Sequence, residues 1–457
     1  VVAAGALLAA AASAQTWVQR TTPVAPAARD GHRMAYDASR QRTVLQGGSL
    51  AYSPSGWGGL AIDTWEWDGR RWLQRAAVTF PMPRTYAALV FDRARGTSVL
   101  FGGQLNPLWD DTWEWDGANW TQASPAVSPS ARVGHSMAYD TARGRVVLFG
   151  GTDTNNPYFT DTWEWDGSSW SRRATAGPAG RGEHSMAYDS ARARVVMFGG
   201  YANGTLYADT WEWDGVSWTQ RTPAQSTFAR SGHRLAYDSV RSRVVLFGGR
   251  GVRNGPTLTE TWEWDGTSWS QLQVAASPST RDGFDMVYDE ARGRAVLFGG
   301  YTSLFGARLG DTWELVATTA TATPFGTGCG SPALTVAPAA NSRPLLGATQ
   351  VTDVTNVPAR GALMALGLSR AAIGPVALPL ALDPFGLPGC TLYQDNLVPG
   401  VPCTPTAAGA AQHRIAIPND LDLAGAHVYL QAWAPAPGAN PAGVVFSNAV
   451  DLLLGNL

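Results

Sequence analysis

Six arginines, Arg29, Arg84, Arg132, Arg181, Arg230 and Arg281, each head a copy of one short motif, and six glutamates, Glu66, Glu114, Glu164, Glu212, Glu263 and Glu314, recur further along each copy. An arginine cluster could grip an anionic sugar, but an active site needs asymmetry and every copy carries the same pair. The expectation is therefore structural: Arg–Glu ion pairs between strands, because buried charges need partners. Four of the six histidines, His32, His135, His184 and His233, also share one position, with Tyr86 and Phe284 read as their counterparts. Neutral imidazole ligates metals well, yet a metal draws its ligands to about 2.1 Å. A position that also accepts an aromatic ring reads as packing, so no metal and no cofactor are expected.

The residues that differ between copies carry more information. Variable loops span Ser49–Ile62, Gln104–Asp110, Thr152–Thr160, Tyr201–Ala208, Arg250–Thr259 and Tyr301–Gly310. Five of them hold aromatics: Tyr52 and Trp57, Trp109, Tyr158 and Phe159, Tyr201 and Tyr207, Tyr301 and Phe305. With Arg308, these form a candidate rim for stacking sugar rings or anchoring a protein. The bland reading is that they pack on neighbouring loops. A catalytic reading would use Asp110, Asp153 or Arg308 on the same face, as a carbohydrate hydrolase or lyase does.

The elements that must hold these residues are legible from the repeat. Arg181 to Asp189 (RGEHSMAYD) returns nearly unchanged at Arg132 and Arg230 and more loosely at Arg29, Arg84 and Arg281. Each copy runs on into an apolar stretch, a double glycine and Thr-Trp-Glu, which the first five continue as Trp-Asp-Gly with another Trp three residues later. The first glycines, at 47, 102, 150, 199, 248 and 299, are 55, 48, 49, 49 and 51 residues apart. Four strands are expected per copy: His-Ser-Met-Ala-Tyr, Val-Val-Leu-Phe, Thr-Trp-Glu-Trp closed by an Asp-Gly turn, and a last strand opened by the lone Trp. In the fourth copy the framework is Arg181, His184, Gly199, Gly200, Trp211, Glu212 and Trp218. Of the 20 Trp, all but Trp57, Trp109 and Trp433 sit at repeated positions. Four antiparallel strands repeated radially describe a propeller blade. The sixth copy lacks its fourth strand, and Trp17-Val-Gln-Arg20 matches Trp72-Leu-Gln-Arg75, so the N-terminal strand should complete the last blade and leave no open edge.

The double glycine, the preceding apolar run and the spaced aromatics resemble the kelch family over residues 15–317. Gly31-His32 with Trp67-Asp68 also meets the loose WD40 signature, but a period near fifty rather than 40–45 separates the two. The resemblance implies an all-β, six-bladed propeller with the galactose oxidase-like fold. Copper-radical oxidases of that fold use a Cys cross-linked to Tyr, and residues 15–317 contain no Cys. The Asp-Gly-x-x-Trp turn is only loosely similar to the sialidase Asp-box, since it lacks a residue between Asp and Gly.

Residues 1–14 read as a signal peptide, an apolar run ending in Ala12-Ser13-Ala14. Residues 318–325 read as a linker, and 326–457, rich in Ala, Pro, Leu and Gly, as a C-terminal β-sandwich-like domain. Its segments Phe325-Gly-Thr-Gly-Cys-Gly330, Leu387-Pro-Gly-Cys-Thr-Leu392 and Ile417-Pro-Asn419 resemble a β-domain of exported bacterial proteins. All three cysteines, Cys329, Cys390 and Cys403, lie there, and one disulfide is expected in an exported chain. The resemblance implies Cys329–Cys390, while Cys390–Cys403 would close a shorter loop. A net charge of −2 gives no reason to expect nucleic acid, and no segment reads as a membrane span. The expectation is a secreted or cell-surface recognition protein binding a glycan or an extracellular protein, leaning away from catalysis. A structural or adhesion role at the cell surface is the remaining alternative.

Overall fold

The computed structural model describes residues 15–457 apart from 51–58, 154–157, 174–175, 252–256, 275, 303–306, 318–320, 340–341, 343, 345–347, 369–371, 374–375, 386, 388–389, 395–397, 418–426 and 455–457. The leader reading and the candidates Tyr52, Trp57 and Phe305 lie outside the described residues. The chain divides into two units, the first covering Gln15–Val316.

The first unit opens with β1 (Gln15–Arg20) and then β2 (Arg33–Asp37), β3 (Arg42–Gln46), β4 (Thr64–Trp67) and β5 (Trp72–Arg75). Strands β2 to β5 form blade 1, in that order, and blades 2 to 5 repeat it from inner strands beginning at Ala88, Ser136, Ser185 and Arg234. Blade 6 takes Asp285–Asp289, Arg294–Phe298 and Thr312–Ala317 from its own repeat and β1 as its outer strand. The ring is thus closed by the start of the chain.

Each second strand is buried on both faces, as Val146, Val147, Leu148 and Phe149 illustrate at 0% exposure. Apolar runs without alternation suit a sheet that has another sheet on each side. Tryptophan joins the blades. The first Trp of each outer strand reaches into the preceding blade and donates its indole N–H to a threonine hydroxyl. Trp72 bonds Thr312, Trp120 bonds Thr64, Trp170 bonds Thr112, Trp218 bonds Thr162, Trp269 bonds Thr210 and Trp17 bonds Thr261, each at 2.9 Å. Burying a Trp removes roughly 150–250 Å² from water, about 4–6 kcal/mol gross, and the hydrogen bond leaves its one polar atom satisfied.

The double glycines mark where neighbouring blades meet. A Cβ on Gly150 would lie 2.6 Å from the Arg181 carbonyl and 3.0 Å from the His184 ring of the next blade, while one on Gly151 would lie 2.9 Å from the His135 Cβ of its own blade. The same contact explains the histidines. His184 meets Phe149 edge-on at 5.5 Å between ring centres, and its pKa is pushed down to about 3, first by burial and then by Arg181. His32, His135 and His233 are likewise buried and held far below the usual histidine range. The register corrects one reading: Ala88 pairs with Phe101 as Ser136 pairs with Phe149. The blade 2 counterpart of His135 is therefore Ala87, and Tyr86 occupies a position that is glycine in four other blades.

The expected pairing of head arginines with third-strand glutamates is also corrected. Arg132 grips Asp161 through two nitrogens at 2.8 and 3.0 Å and donates to the Gly150 carbonyl at 3.1 Å. Arg29–Asp63, Arg84–Asp111, Arg181–Asp209, Arg230–Glu260 and Arg281–Asp311 repeat the pair. The acid that meets the head arginine opens the third strand, beside the double glycine, three residues before the glutamate. Glu66, Glu164, Glu212, Glu263 and Glu314 take other arginines. Glu164 pairs with Arg143 from the inner turn and Arg173 from the outer strand, and Glu212 pairs in the same way with Arg192 and Arg221. Glu314 pairs with Arg294 and, across the closure, with Arg20, both at 2.8 Å.

The second unit is a β-sandwich. A five-stranded sheet includes Leu363–Gly367, His427–Pro435 and Val444–Leu453, and a four-stranded sheet includes Thr335–Pro338, Thr349–Thr355 and Ala410–Ala416. Met364, Leu430 and Val450 from the first share a core with Val336, Val354 and Ala411 from the second. Cys329 and Cys390 form a disulfide in that core, and Cys403 is a buried free thiol.

Candidate functional site

The inner strands surround a central channel with a cavity of about 680 Å³. Its wall is built in rings, one residue per blade, so the repeat itself sets the geometry. Wherever a blade departs from the repeat, the ring loses its symmetry.

The inner strands begin with Arg33, Ala88, Ser136, Ser185, Arg234 and Asp285. Ser136 and Ser185 each accept a backbone N–H from the next blade, from Met186 at 3.1 Å and Leu235 at 2.9 Å. Asp285 does the same for Met34 at 2.7 Å, and its other oxygen accepts from Arg234 Nε at 2.9 Å. Arg33 donates to the carbonyls of Ala87 and His32 at 2.5 and 2.7 Å and has no carboxylate partner among the described residues. It is 8% exposed, and its pKa is pushed down to about 10, by burial first and then by Arg234.

Two residues nearer the mouth, the ring reads Gly31, Tyr86, Gly134, Glu183, Gly232 and Gly283. All six have left-handed backbone, with Tyr86 at φ 52° and Glu183 at φ 57°. Side chains in that region cost about 1–2 kcal/mol. The ring is stitched by backbone hydrogen bonds in one rotational sense. Gly31 donates to Gly283, Tyr86 to Gly31, Gly134 to Tyr86, Glu183 to Gly134 and Gly232 to Glu183, at 2.7 to 3.2 Å. Gly283 instead donates to the carboxylate of Asp282 at 2.6 Å.

Around Glu183 a charged arc runs across blades 4, 5, 6, 1 and 2. Glu183 accepts from Ser231 at 2.9 Å and from Arg250 at 3.2 Å. Arg250 reaches Asp282 at 2.6 Å, and Tyr301 donates its hydroxyl to Asp282 at 3.1 Å. Arg308 pairs with Asp30, which also accepts from the Tyr86 hydroxyl at 3.0 Å. Burial raises the Asp282 carboxyl to about 6 in spite of Arg250. It also raises Asp30 against Arg308 and Tyr86.

The loop aromatics fall into two groups. Trp109, Phe159 and Tyr207 cover the head arginines, with ring centres 5.3, 4.1 and 3.8 Å from Arg84, Arg132 and Arg181. They act as lids on the structural ion pairs. Tyr158 and Tyr201 meet edge-on at 6.2 Å and, with Tyr301, line the channel. Arg308 lies over the Tyr301 ring at 5.3 Å. Asp110 and Asp153 do not line the cavity.

Tyr86, Glu183, Arg33, Arg234, Arg250, Asp282 and Asp285 line the cavity but were not among the sequence candidates. Their signal was present in the repeat: a tyrosine or glutamate where other copies carry glycine, and arginine or aspartate where two carry serine. Reading the copies column by column exposes all of them but Arg250, which opens one of the variable loops.

Residues 110–239 match the family model of the KLHDC2/KLHL20/DRC7 Kelch-repeats domain. Among solved structures, the chain is similar to the one described as "Structure of YjhT", with 14% identity and a TM-score of 0.51 over 64% of this chain and 95% of that one. At that identity the likeness is one of fold. No curated protein matches the chain in sequence.

Proposed function

Taking the kelch propeller as the scaffold, we propose that this protein is a recognition module that acts outside the cytoplasm and binds the end of a glycan at its channel mouth. Kelch propellers are in general interaction modules, and the question is which surface is used. The observation that carries the reading is that the blades depart from their repeat where they face the channel, even at the expense of strained backbone at Tyr86 and Glu183. Strain of this kind clusters at functional sites. A concave cavity of about 680 Å³ has the size of a small-ligand pocket, whereas a protein interface covers about 800 Å² per partner. Tyrosine faces with carboxylates and guanidiniums beside them suit sugar rings and their hydroxyls. The Cys329–Cys390 disulfide is compatible with an oxidising compartment. No helix among the described residues is long and apolar enough to cross a membrane.

The test is a glycan panel probed with the chain from Gln15 onward, alongside Tyr201→Ala and Trp109→Ala. Loss of binding in Tyr201→Ala, with Trp109→Ala losing stability but not affinity, supports the channel mouth. The reverse pattern moves recognition to the outer loops, and a panel with no binder sinks the glycan reading in favour of a protein partner. A second reading, proton-transfer chemistry on a bound sugar, rests on Asp282, whose raised carboxyl lies beside Tyr301. Turnover of a bound glycan that is abolished by Asp282→Asn would establish it.

A further inference from the structure

The wall of the channel is not neutral all the way round. Blades 5, 6 and 1 contribute Arg234, Asp285 and Arg33 to one arc, two guanidiniums against one carboxylate, while blades 2, 3 and 4 contribute Ala88, Ser136 and Ser185. Asp285 is fully engaged, one oxygen with Arg234 and the other with the backbone of Met34. Arg33 is clamped by two backbone carbonyls beside the Tyr86 ring, 5.6 Å from its centre. It is 92% buried and lines the cavity. Asp285 and Asp282 act on it only from a distance; a buried guanidinium with no carboxylate in direct contact is costly, and the other arginines lining the cavity, Arg93, Arg234 and Arg250, already hold acids. The small residues opposite leave room for a ligand group.

We propose that Arg33 is the seat of an anionic group, a carboxylate or a sulfate, on the glycan that enters the channel mouth, so that the protein selects acidic over neutral sugars. The inference rests on the glycan reading above and adds the ligand's charge. Arginine is the side chain that meets such oxygens with two parallel N–H donors. Its fixed stem means that little ordering remains to be done on binding.

The experiment compares three oligosaccharides of one backbone, neutral, uronic-acid-bearing and sulfated, on the wild type, Arg33→Met and Ser136→Asp. Ser136→Asp guards against a folding defect: it keeps an acceptor for the Met186 N–H, as Asp285 does for Met34, while adding a negative charge to the same ring. Thermal shift with glucuronate alone is run on each protein. The expected result is that one acidic form binds the wild type best, and that both variants weaken it by roughly ten- to hundredfold, a loss larger than either variant suffers for the neutral form. The better of the two acidic arms identifies the group. Equal binding of neutral and acidic forms, or an acid preference that survives in both variants, overturns the proposal and leaves the glycan reading standing. If no oligosaccharide binds but glucuronate raises the melting temperature of the wild type alone, the glycan reading falls and the anion seat remains. No binding and no shift overturn both.

Discussion

Glu183 holds a left-handed backbone at a position where four blades carry glycine. Replacing it by glycine removes about 1–2 kcal/mol of strain, and Arg250 keeps Asp282 as a partner. Glu183→Gly is therefore expected to raise stability by about 1 kcal/mol in urea unfolding while weakening ligand binding. A loss of stability would show that Glu183 serves the fold. Asp282 gives a pH dependence of definite sign. Its carboxyl is raised by burial to about 6 in the folded chain, against about 3.9 when unfolded. The folded state thus binds the proton more tightly, and its contribution to stability is present below the unfolded pKa and lost as pH rises to about 6. Asp282→Asn should flatten that part of the stability profile between about pH 4 and 6, read by thermal melts across that range. These residues were legible only as substitutions within a column of the repeat. The loops, where the aromatics are conspicuous, gave Trp109, Phe159 and Tyr207, whose rings cover the head arginines. A ring over a guanidinium and a ring awaiting a sugar have the same sequence signature.

At the level of elements, strand β1 has the same environment as any other outer strand although it comes from the opposite end of the propeller sequence. Trp17 is 1% exposed and bonds Thr261 at 2.9 Å, as Trp218, 6% exposed, bonds Thr162. Trp17→Ala and Trp218→Ala should each cost about 3–5 kcal/mol in urea unfolding. A Trp17→Ala cost far below that of Trp218→Ala would mean that the closing strand is held less firmly than the internal ones. Strand order and closure could be read from the sequence because each depends on local signals: the Asp-Gly turn, the double glycine and the lone Trp. Ion-pair partners could not, since Asp161 and Glu164 stand three residues apart in one segment and both are acids within reach of arginines. Which acid meets which arginine is settled inside each blade, by where the segment before the inner strand, the inner turn and the outer strand come against the third strand, and spacing along the chain does not encode that.

At the scale of the whole molecule, repetition explains both what was readable and what was hidden. Six copies with one period specify a closed ring because each blade needs a neighbour on both sides to bury Trp and Val. The same sameness obscures function, since a site is made by small exceptions at the inner wall, far apart in sequence. In the second unit, without repeats, the strands were visible only in outline, and the pairing of Cys329 with Cys390 followed from resemblance and not from spacing. The stitched circle at the mouth has one further consequence. Five of its links run peptide to peptide in a single rotational sense, and the sixth is diverted into the side chain of Asp282 in blade 6, the blade that also joins the two ends of the propeller chain. A wheel of near-identical spokes has no zero mark; here the diverted link supplies one. The six spokes are therefore not equivalent even in their backbone links, and whatever the mouth recognises along the axis meets a ring that already has a beginning and an end.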